Sequence, residues 1–145
     1  MELTFVGCGD AFGSGGRFNT CFHVRTAQSA FLIDCGASSM IALKSAGLDP
    51  NAINTILITH FHGDHFGGIP YFVLDAQFFS NRDHPLTILG PAGLEDWFVR
   101  VMETAFPGSS RTKPKFPLTL QDLTPGTTSL VDDLSITTAR VRHGP

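Results

Sequence analysis

The sequence predicts a layered α/β fold, in which short β-strands alternate with amphipathic helices. Several short apolar and β-branched runs are bounded by glycine, asparagine or aspartate, as is typical of strands. Other segments place apolar residues at helical spacing. Residues 53–59 form a nearly continuous apolar run, which is the pattern of a strand covered on both faces. In such folds the loops at the strand ends are the usual place for a functional site.

The composition describes one globular domain over residues 1–145 rather than a disordered chain. The chain has 42% apolar and only 16% charged residues, which is enough apolar material for a sizeable core. Ten basic residues against thirteen acidic ones give a formal charge of −3. A net negative charge disfavours a protein that coats nucleic acid or an anionic membrane through its overall charge.

The start of the chain and its cysteines indicate a reducing compartment. The N-terminus lacks a basic segment followed by an apolar one, and no apolar run is long enough to span a membrane. We therefore expect a cytoplasmic protein with no membrane partner. Cys8, Cys21 and Cys35 match neither a paired disulfide framework nor a Cys-x-x-Cys zinc knuckle. We expect all three to be reduced, buried thiols.

The first part of the chain predicts three strands followed by a helix. The strands are residues 2–6, 21–24 and 30–33. The third strand stops at Asp34, where a Cys-Gly pair breaks it. Ser38 or Ser39 can cap the helix that follows, which ends near Gly47.

The second part predicts two more strands, two helices and a hairpin. Residues 53–59 and 87–89 are the strands, and residues 67–80 form a helix that opens beside a polar cluster. Pro91 suits the first turn of a second helix, which is closed by a Pro-Gly pair at residues 107–108. Its apolar face contains Leu94, Phe98, Val101, Met102 and Ala105. Residues 109–117 are expected to be a loop, and the tail from Thr127 onward a hairpin that ends at residues 141–145.

The run His-Phe-His-Gly-Asp-His at residues 60–65 carries the strongest chemical signal in the chain. Two imidazoles at i and i+2 can lie on one side of an extended backbone, and Gly63 allows the chain to turn. Asp64 and His65 then present a carboxylate and a third imidazole. Four such ligands suit two ions better than one, and a pair of metals ~3.5–4 Å apart holds a hydroxide between them at neutral pH. Histidine and carboxylate ligands without thiolate suit Zn²⁺, with Mn²⁺ and Fe²⁺ as alternatives.

This hexapeptide resembles the His-x-His-x-Asp-His motif of the metallo-β-lactamase superfamily. Further segments occur in the order and at the approximate spacing of its ribonuclease Z-like and phosphodiesterase-like branch: residues 5–10, 32–36, 59–70 and 89–91. The resemblance covers nearly the whole chain. It implies a metallo-β-lactamase-like αβ/βα sandwich, with two central sheets between layers of helices.

The resemblance also implies a ligand set. In the family, the residues that match His60 and His62 bind the first metal together with a later histidine, for which His143 is the match in this chain. Those that match Asp64 and His65 bind the second metal. Asp34 matches an acidic residue that orients the metal-binding loop through hydrogen bonds.

The chain departs from the family pattern at its end. The family places a bridging aspartate and one more metal-binding histidine after the position of His143, whereas this chain stops at Pro145. We therefore expect a sandwich truncated after its third metal motif, with sheet edges that favour a homo-oligomer. We also expect these 145 residues by themselves to bind metal weakly and to hydrolyse little.

The expected activity of the intact protein is metal-dependent hydrolysis of a phosphodiester or a related ester, with a metal-bridging hydroxide as the nucleophile. Asp64 orients or deprotonates this nucleophile. RNA is a second candidate substrate, which the basic loop at Arg111, Lys113 and Lys115 would contact. However, Ala-Ser-Ser at residues 37–39 stands where ribonuclease Z members carry Glu-Gly-Thr, and no segment resembles their long exosite arm.

Two alternatives belong to other classes of function. The first is an iron-dependent redox enzyme on the same fold, of the sulfur dioxygenase type. Diiron electron-transfer relatives are disfavoured because they carry glutamate at the position of His62. The second alternative is a noncatalytic module that needs a complementing segment.

Overall fold

The computed structural model describes residues 1–143, in which six strands form one mixed sheet. The strands are β1 (Glu2–Gly7), β2 (Cys21–Arg25), β3 (Ala30–Ile33), β4 (Thr55–Leu57), β5 (Leu86–Gly90) and β6 (Leu118–Asp122). They lie side by side in chain order. The first three run antiparallel, whereas β3 to β6 are parallel, so the carboxyl ends of four neighbouring strands meet at one edge of the sheet.

Four α-helices connect these strands: α1 (Ser39–Ser45), α2 (Gly63–Phe66), α3 (Ile69–Phe78) and α4 (Leu94–Ala105). Pairing register places Leu32, Ile56 and Ile88 in one row on the same face of the sheet. All three are fully buried, in one apolar core with side chains from α1, α3 and α4. The hydrophobic effect therefore fixes these three helices on that face.

The opposite face of the sheet is more open. The register row Phe5, Phe22, Ile33 and Leu57 lies on this face, and 66% of the Phe5 surface is exposed. A separate two-stranded hairpin, β7 (Thr128–Val131) and β8 (Leu134–Thr137), is attached near the β2–β3 turn. The hairpin around residues 132–133 is as predicted, although it ends at Thr137 rather than at residue 141. Gly144 and Pro145 lie outside the described residues.

The predicted strand and helix around the polar cluster are both longer than the observed ones. The strand predicted for residues 53–59 is only Thr55–Leu57, because the backbone N–H of Thr59 donates to Asp34 Oδ1 instead of to a neighbouring strand. The helix predicted for residues 67–80 is observed only over Ile69–Phe78, and the helical turn before it was not predicted. Residues 63–66 form the short helix α2, and α3 begins only at Ile69 because Gly68 N–H donates to the carbonyl of Cys35.

Two further local predictions were wrong, and one strand was not predicted. Pro91 is not in the first turn of α4, since Gly93 adopts a φ of 89° and the helix begins at Leu94. The strand β6 was not predicted, because its alternating Leu-Thr-Leu-Gln-Asp sequence is short and half polar. Ser38 precedes α1, but its side chain bonds to Asn19 and does not cap the helix.

The cysteines are only partly as expected. Cys21 and Cys35 are free and buried, whereas Cys8 is exposed. Burial raises the pKa of the Cys21 thiol to about 11 and also raises that of Cys35, so neither is ionised at neutral pH. None of the helices in residues 1–143 combines the length and apolarity needed to cross a membrane.

Candidate metal centre

The histidine-rich segment lies at the carboxyl edge of the parallel strands. Strand β4 ends at Leu57, an irregular segment follows as far as His62, and α2 begins at Gly63. Strand β3 ends at Ile33 beside it, which places Asp34 at the same edge. The strand register thus brings together two polar segments that are far apart in the sequence.

Three imidazoles converge at this edge. One ligand atom from each of His60, His62 and His143 lies within 4.8 Å of the other two. The Nε2 atoms of His60 and His143 are 3.0 Å apart, although the residues are separated by 83 positions. His62 completes the group, with ring centroids 4.7 Å from His60 and 5.0 Å from His143.

The remaining two predicted ligands, Asp64 and His65, border this group. The His65 ring centroid lies 4.1 Å from that of His60. His65 Nε2 is 3.4 Å from Asp64 Oδ2. All five residues predicted as metal ligands therefore lie in one neighbourhood.

Asp34 fixes the histidine-rich segment through hydrogen bonds to Thr59 and His65. The residue is 2% exposed and adopts a left-handed φ of 60°, which aspartate tolerates better than most side chains. Its Oδ2 accepts a hydrogen bond of 2.7 Å from Nδ1 of His65, and its Oδ1 accepts one of 2.8 Å from the backbone N–H of Thr59. With Nδ1 of His65 donating to the carboxylate, Nε2 keeps the lone pair that binds a metal.

Thr59 links Asp34 to His60 and so orients the His60 ring in the same way. It was not among the predicted site residues. Its hydroxyl lies 2.9 Å and 3.0 Å from the two carboxylate oxygens of Asp34, and 3.0 Å from Nδ1 of His60. Because the carboxylate only accepts, the hydroxyl donates to it and accepts from His60 Nδ1–H. Nε2 of His60 is then the free ligand atom, and it is the one that faces His143. Its position directly before His60 was the only sequence signal for Thr59.

Burial and the neighbouring imidazoles of His65, His143 and His62 lower the pKa of His60. A lowered pKa favours the neutral ring at physiological pH. Neutral imidazole is the form that coordinates metal ions. The surroundings of His60 therefore favour its neutral, metal-binding form.

Two glycines allow the Asp34 turn to approach α2 closely. A Cβ atom on Gly36 would lie 2.1 Å from the carbonyl oxygen of Asp64, and one on Gly68 would lie 2.2 Å from that of Gly36. The close approach permits backbone hydrogen bonds from Cys35 N–H to the His65 carbonyl (2.7 Å) and from Gly68 N–H to the Cys35 carbonyl (2.8 Å). The motif Asp-Cys-Gly and the glycines after the histidine run therefore act together as one scaffold.

The donor set fits a divalent metal. Imidazole nitrogens and a carboxylate oxygen, without thiolate, are the ligands that catalytic zinc sites use. Two nitrogens on a tetrahedral zinc with bonds of ~2.0–2.1 Å lie roughly 3.3 Å apart, close to the 3.0 Å between His60 and His143. The other two histidines of the described chain lie elsewhere: His23 is buried on β2, and His84 bonds to Asp83 and Asn51.

The fold and the histidine cluster define a protein of the metallo-β-lactamase superfamily, in its ribonuclease Z-like branch, as the motifs predicted. The chain belongs to the Anti-Pycsar protein Apyc1 family, whose model matches residues 1–144.

Two curated relatives and one solved structure illustrate the similarity. The ribonuclease Z of Methanothermobacter thermautotrophicus is 32% identical over 143 residues, which cover 99% of this chain and 45% of that protein. The human zinc phosphodiesterase ELAC protein 1 is 34% identical over 128 residues, which cover 86% of this chain and 34% of that protein. The crystal structure of human tRNase Z, short form, superposes with a TM-score of 0.70 at 32% identity, covering 86% of this chain and 46% of the other. The chain therefore spans less than half the length of these relatives.

Proposed function

We propose that the protein is a metal-dependent hydrolase that acts on a phosphodiester or a related ester. The observation that carries the proposal is the convergence of His60, His62 and His143 on one point at the carboxyl edge of the sheet. The names of the relatives support it, since one is a ribonuclease Z and another a zinc phosphodiesterase. RNA is the second candidate substrate on the same ground.

The proposed ligand roles follow the geometry of the two groups. His60, His62 and His143 would hold a first ion, while Asp64 and His65 would contribute to a second. Zn²⁺ fits these donors best, and Mn²⁺ and Fe²⁺ are the alternatives. A divalent metal at this position supplies Lewis acidity, which polarises a phosphoryl oxygen and activates water at neutral pH.

The protein side chains would then orient the reactants and move a proton. The Asp64 carboxylate, which lies 3.4 Å from His65 Nε2, would orient the attacking water and accept its proton. Asp34 would act through other residues, because it fixes the ring of His65 directly and that of His60 through Thr59. Preorganised rings avoid a reorganisation cost during the reaction.

The test is hydrolysis of bis(p-nitrophenyl) phosphate in the presence of Zn²⁺, Mn²⁺ or Fe²⁺, with the chain alone and mixed with a separately produced C-terminal half of a relative. We expect little hydrolysis by the chain alone and, in the mixture, metal-dependent release of nitrophenolate that a chelator abolishes. His143→Ala should abolish this activity and lower zinc affinity in competition with a chelator. The matched control His84→Ala removes a histidine outside the cluster and should change neither.

Three outcomes would contradict the proposal. Hydrolysis that persists in full after chelation would remove the role of the metal. Equal effects of His143→Ala and His84→Ala would remove the role of the cluster. Bound iron with oxygen uptake and no phosphodiester hydrolysis would favour the redox enzyme instead.

A further inference from the structure

The loop between β1 and β2 lies at the same edge of the sheet as the candidate metal centre. Strand β1 ends at Gly7 and β2 begins at Cys21, and the strand register pairs these two residues. Because β2 pairs antiparallel with β3, its first residues lie beside the end of β3 at Ile33. Residues 8–20 therefore border the edge at which the histidine-rich segment follows β4.

The helix that carries Asp64 depends on other parts of the chain for its position. It has four residues, and isolated helices of this length are unstable in water. The N–H of Cys35 donates to the carbonyl of His65 (2.7 Å), at the end of this helix. The N–H of Ala37 donates to the carbonyl of Gly63 (3.1 Å), at its start. Both donors belong to the turn after β3, so this turn determines where α2 lies.

Asn19 ties the β1–β2 loop to this turn through reciprocal hydrogen bonds with Ser38. The backbone N–H of Asn19 donates to Ser38 Oγ (2.8 Å), and the backbone N–H of Ser38 donates to Asn19 Oδ1 (3.1 Å). The Ser38 hydroxyl also donates to Asn19 Oδ1 (3.0 Å). The side-chain nitrogen of Asn19 donates to the carbonyl of Asp10 (2.9 Å). These partners fix the orientation of the Asn19 amide.

The same contact reaches Asp64 through Gly36. A Cβ atom on Gly36 would lie 2.5 Å from Asn19 Cβ and 2.1 Å from the carbonyl oxygen of Asp64. The Asn19 side chain and the Asp64 backbone therefore pack against the same side of Gly36. The N–H of Gly36 also donates to the carbonyl of Thr20 in the loop (3.2 Å). A displacement of Asn19 would move the Asp64 backbone, because close-packed atoms leave no space to absorb it.

The Asp64 side chain is held less firmly by its own contacts than the neighbouring imidazole. His65 is fixed by a hydrogen bond of 2.7 Å to Asp34, whereas Asp64 Oδ2 lies 3.4 Å from His65 Nε2. Charge-assisted hydrogen bonds are about 2.7–2.9 Å long, so the longer contact constrains the carboxylate only loosely. The position of this carboxylate is therefore set mainly by the backbone of α2.

We propose that Asn19 and Ser38 are positioning residues for Asp64, which act through the turn at Gly36 and through α2. This inference rests on the proposed function, in which Asp64 orients the attacking water and accepts its proton. It extends the site to the β1–β2 loop, which contains none of the site residues predicted from the sequence. The pair should affect the role of Asp64 and leave the affinity for the first ion unchanged.

The first experiment measures this connection without metal or substrate. Ser38→Ala removes the hydroxyl that joins the loop to the turn. Amide hydrogen exchange at Cys35 and Ala37, followed by NMR, should accelerate on the order of 10-fold relative to the amides of β4 and β5, because two hydrogen bonds are lost. Ser38→Thr keeps the hydroxyl and should exchange at nearly the wild-type rates.

Asn19→Ala should accelerate exchange in the same way, and Asn51→Ala is its matched control. The Asn51 side chain is also half-buried and donates to a distant carbonyl, that of Ser80 (2.8 Å), but it precedes β4 at the opposite edge of the sheet. Asn51→Ala should leave exchange at Cys35 and Ala37 unchanged. Equal acceleration in this control, or none in Asn19→Ala and Ser38→Ala, would overturn the inference.

The second experiment asks whether the pair acts through Asp64, in the metal-loaded mixture with the C-terminal half. Ser38→Ala should lower kcat for bis(p-nitrophenyl) phosphate about 10- to 100-fold and change KM less than about 2-fold, because a displaced proton acceptor affects the chemical step. In the background of Asp64→Asn, the same substitution should lower the residual kcat less than about 2-fold. Ser38→Thr should retain most of the wild-type kcat, and Asn51→Ala should leave it unchanged.

The results separate the failure of this inference from that of the proposed function. An equal loss of kcat with and without Asp64→Asn, or a loss confined to KM, would overturn the positioning role while metal-dependent hydrolysis still stood. So would a weaker affinity for the first ion in Ser38→Ala, measured by chelator competition. Faster exchange at Cys35 and Ala37, in a protein whose wild type shows no metal-dependent hydrolysis, would support the connection to α2 and contradict the hydrolase.

Discussion

The segment at the end of β4 and the C-terminal segment both bring histidines to the candidate metal centre, but they are supported very differently. Residues 59–68 are held by the buried Asp34 and by a backbone network to the turn at residues 34–37. Residues 138–143 have no regular secondary structure, and His143 is exposed. The ring contacts described for His143 are with His60 and His62 themselves.

The hairpin before His143 is attached by polar contacts at its turn. Asp133 accepts hydrogen bonds from the hydroxyls of Thr26 (2.8 Å) and Ser29 (2.5 Å). At its base, Gly126 N–H donates to the carbonyl of Thr138. One part of the proposed ligand set is therefore preorganised by packing, whereas His143 follows a surface hairpin and would depend more on a bound metal for its position.

The largest expected effect is on the packed segment. Gly36→Ala places a Cβ atom 2.1 Å from the Asp64 carbonyl oxygen and 2.5 Å from Asn19 Cβ, both of which are held in place. We expect the free energy of unfolding to fall by about 2–4 kcal/mol in urea denaturation.

Gly63→Ala is the matched control for this substitution, because no atom lies within 4 Å of the added Cβ and the residue is helical. Its effect should stay within about 0.5 kcal/mol. Similar losses for the two variants would show that the close approach at Gly36 is not what stabilises the segment.

A smaller effect is expected when the Asp34 charge is removed. Asp34→Asn keeps the size of the side chain but weakens the hydrogen bond that fixes His65. Loss of such an outer partner lowers metal affinity roughly 10–100-fold, measured by chelator competition. Nitrogen NMR should also show that the Nε2 tautomer of His65 increases at the expense of the Nδ1 tautomer.

Asp83→Asn is the control, since Asp83 makes the same kind of contact with His84 on the exposed surface. It should leave zinc affinity unchanged. An unchanged tautomer of His65 in Asp34→Asn would mean that Asp34 does not orient the ring.

The smallest effect concerns the attachment of the hairpin. Hydrogen bonds from the hydroxyls of Ser29 and Thr26 hold the pKa of Asp133 below its usual range. Because the folded pKa lies below the unfolded one, the contact stabilises above about pH 4 and is lost as the pH falls through the folded pKa. Hydrogen exchange of residues 128–137, corrected for intrinsic rates, should therefore accelerate between about pH 5 and pH 3.

Asp133→Asn should remove most of that pH dependence and raise exchange at neutral pH a few-fold. Asp132→Asn is its control, because asparagine also accepts the left-handed φ of 51° at this turn. If the acid-dependent exchange persists in Asp133→Asn, another group attaches the hairpin.

Much of the fold could be predicted from local patterns. The strand at residues 30–33 and the turn of the hairpin were predicted correctly because each depends on residues that are neighbours in the chain. The start of α4 could not be predicted, since the carboxylate of Asp122 on β6 accepts from the N–H groups of Gly93 and Leu94 (3.0 Å and 3.1 Å). A helix capped from a distant strand leaves no capping signal at its own N-terminus.

The sequence by itself determined the donor types of the candidate metal centre and the strand end that they follow, because histidine and aspartate at that spacing have few other uses in so short a run. Tertiary structure decided which of those donors meet. The parallel register places Asp34 beneath Thr59 and His65, and the path of the C-terminal segment brings His143 to His60. Local periodicity encodes contacts between residues a few positions apart. A contact such as that of His60 with His143, which are 83 positions apart, depends on how the strands pair and on which side chains are buried in the core.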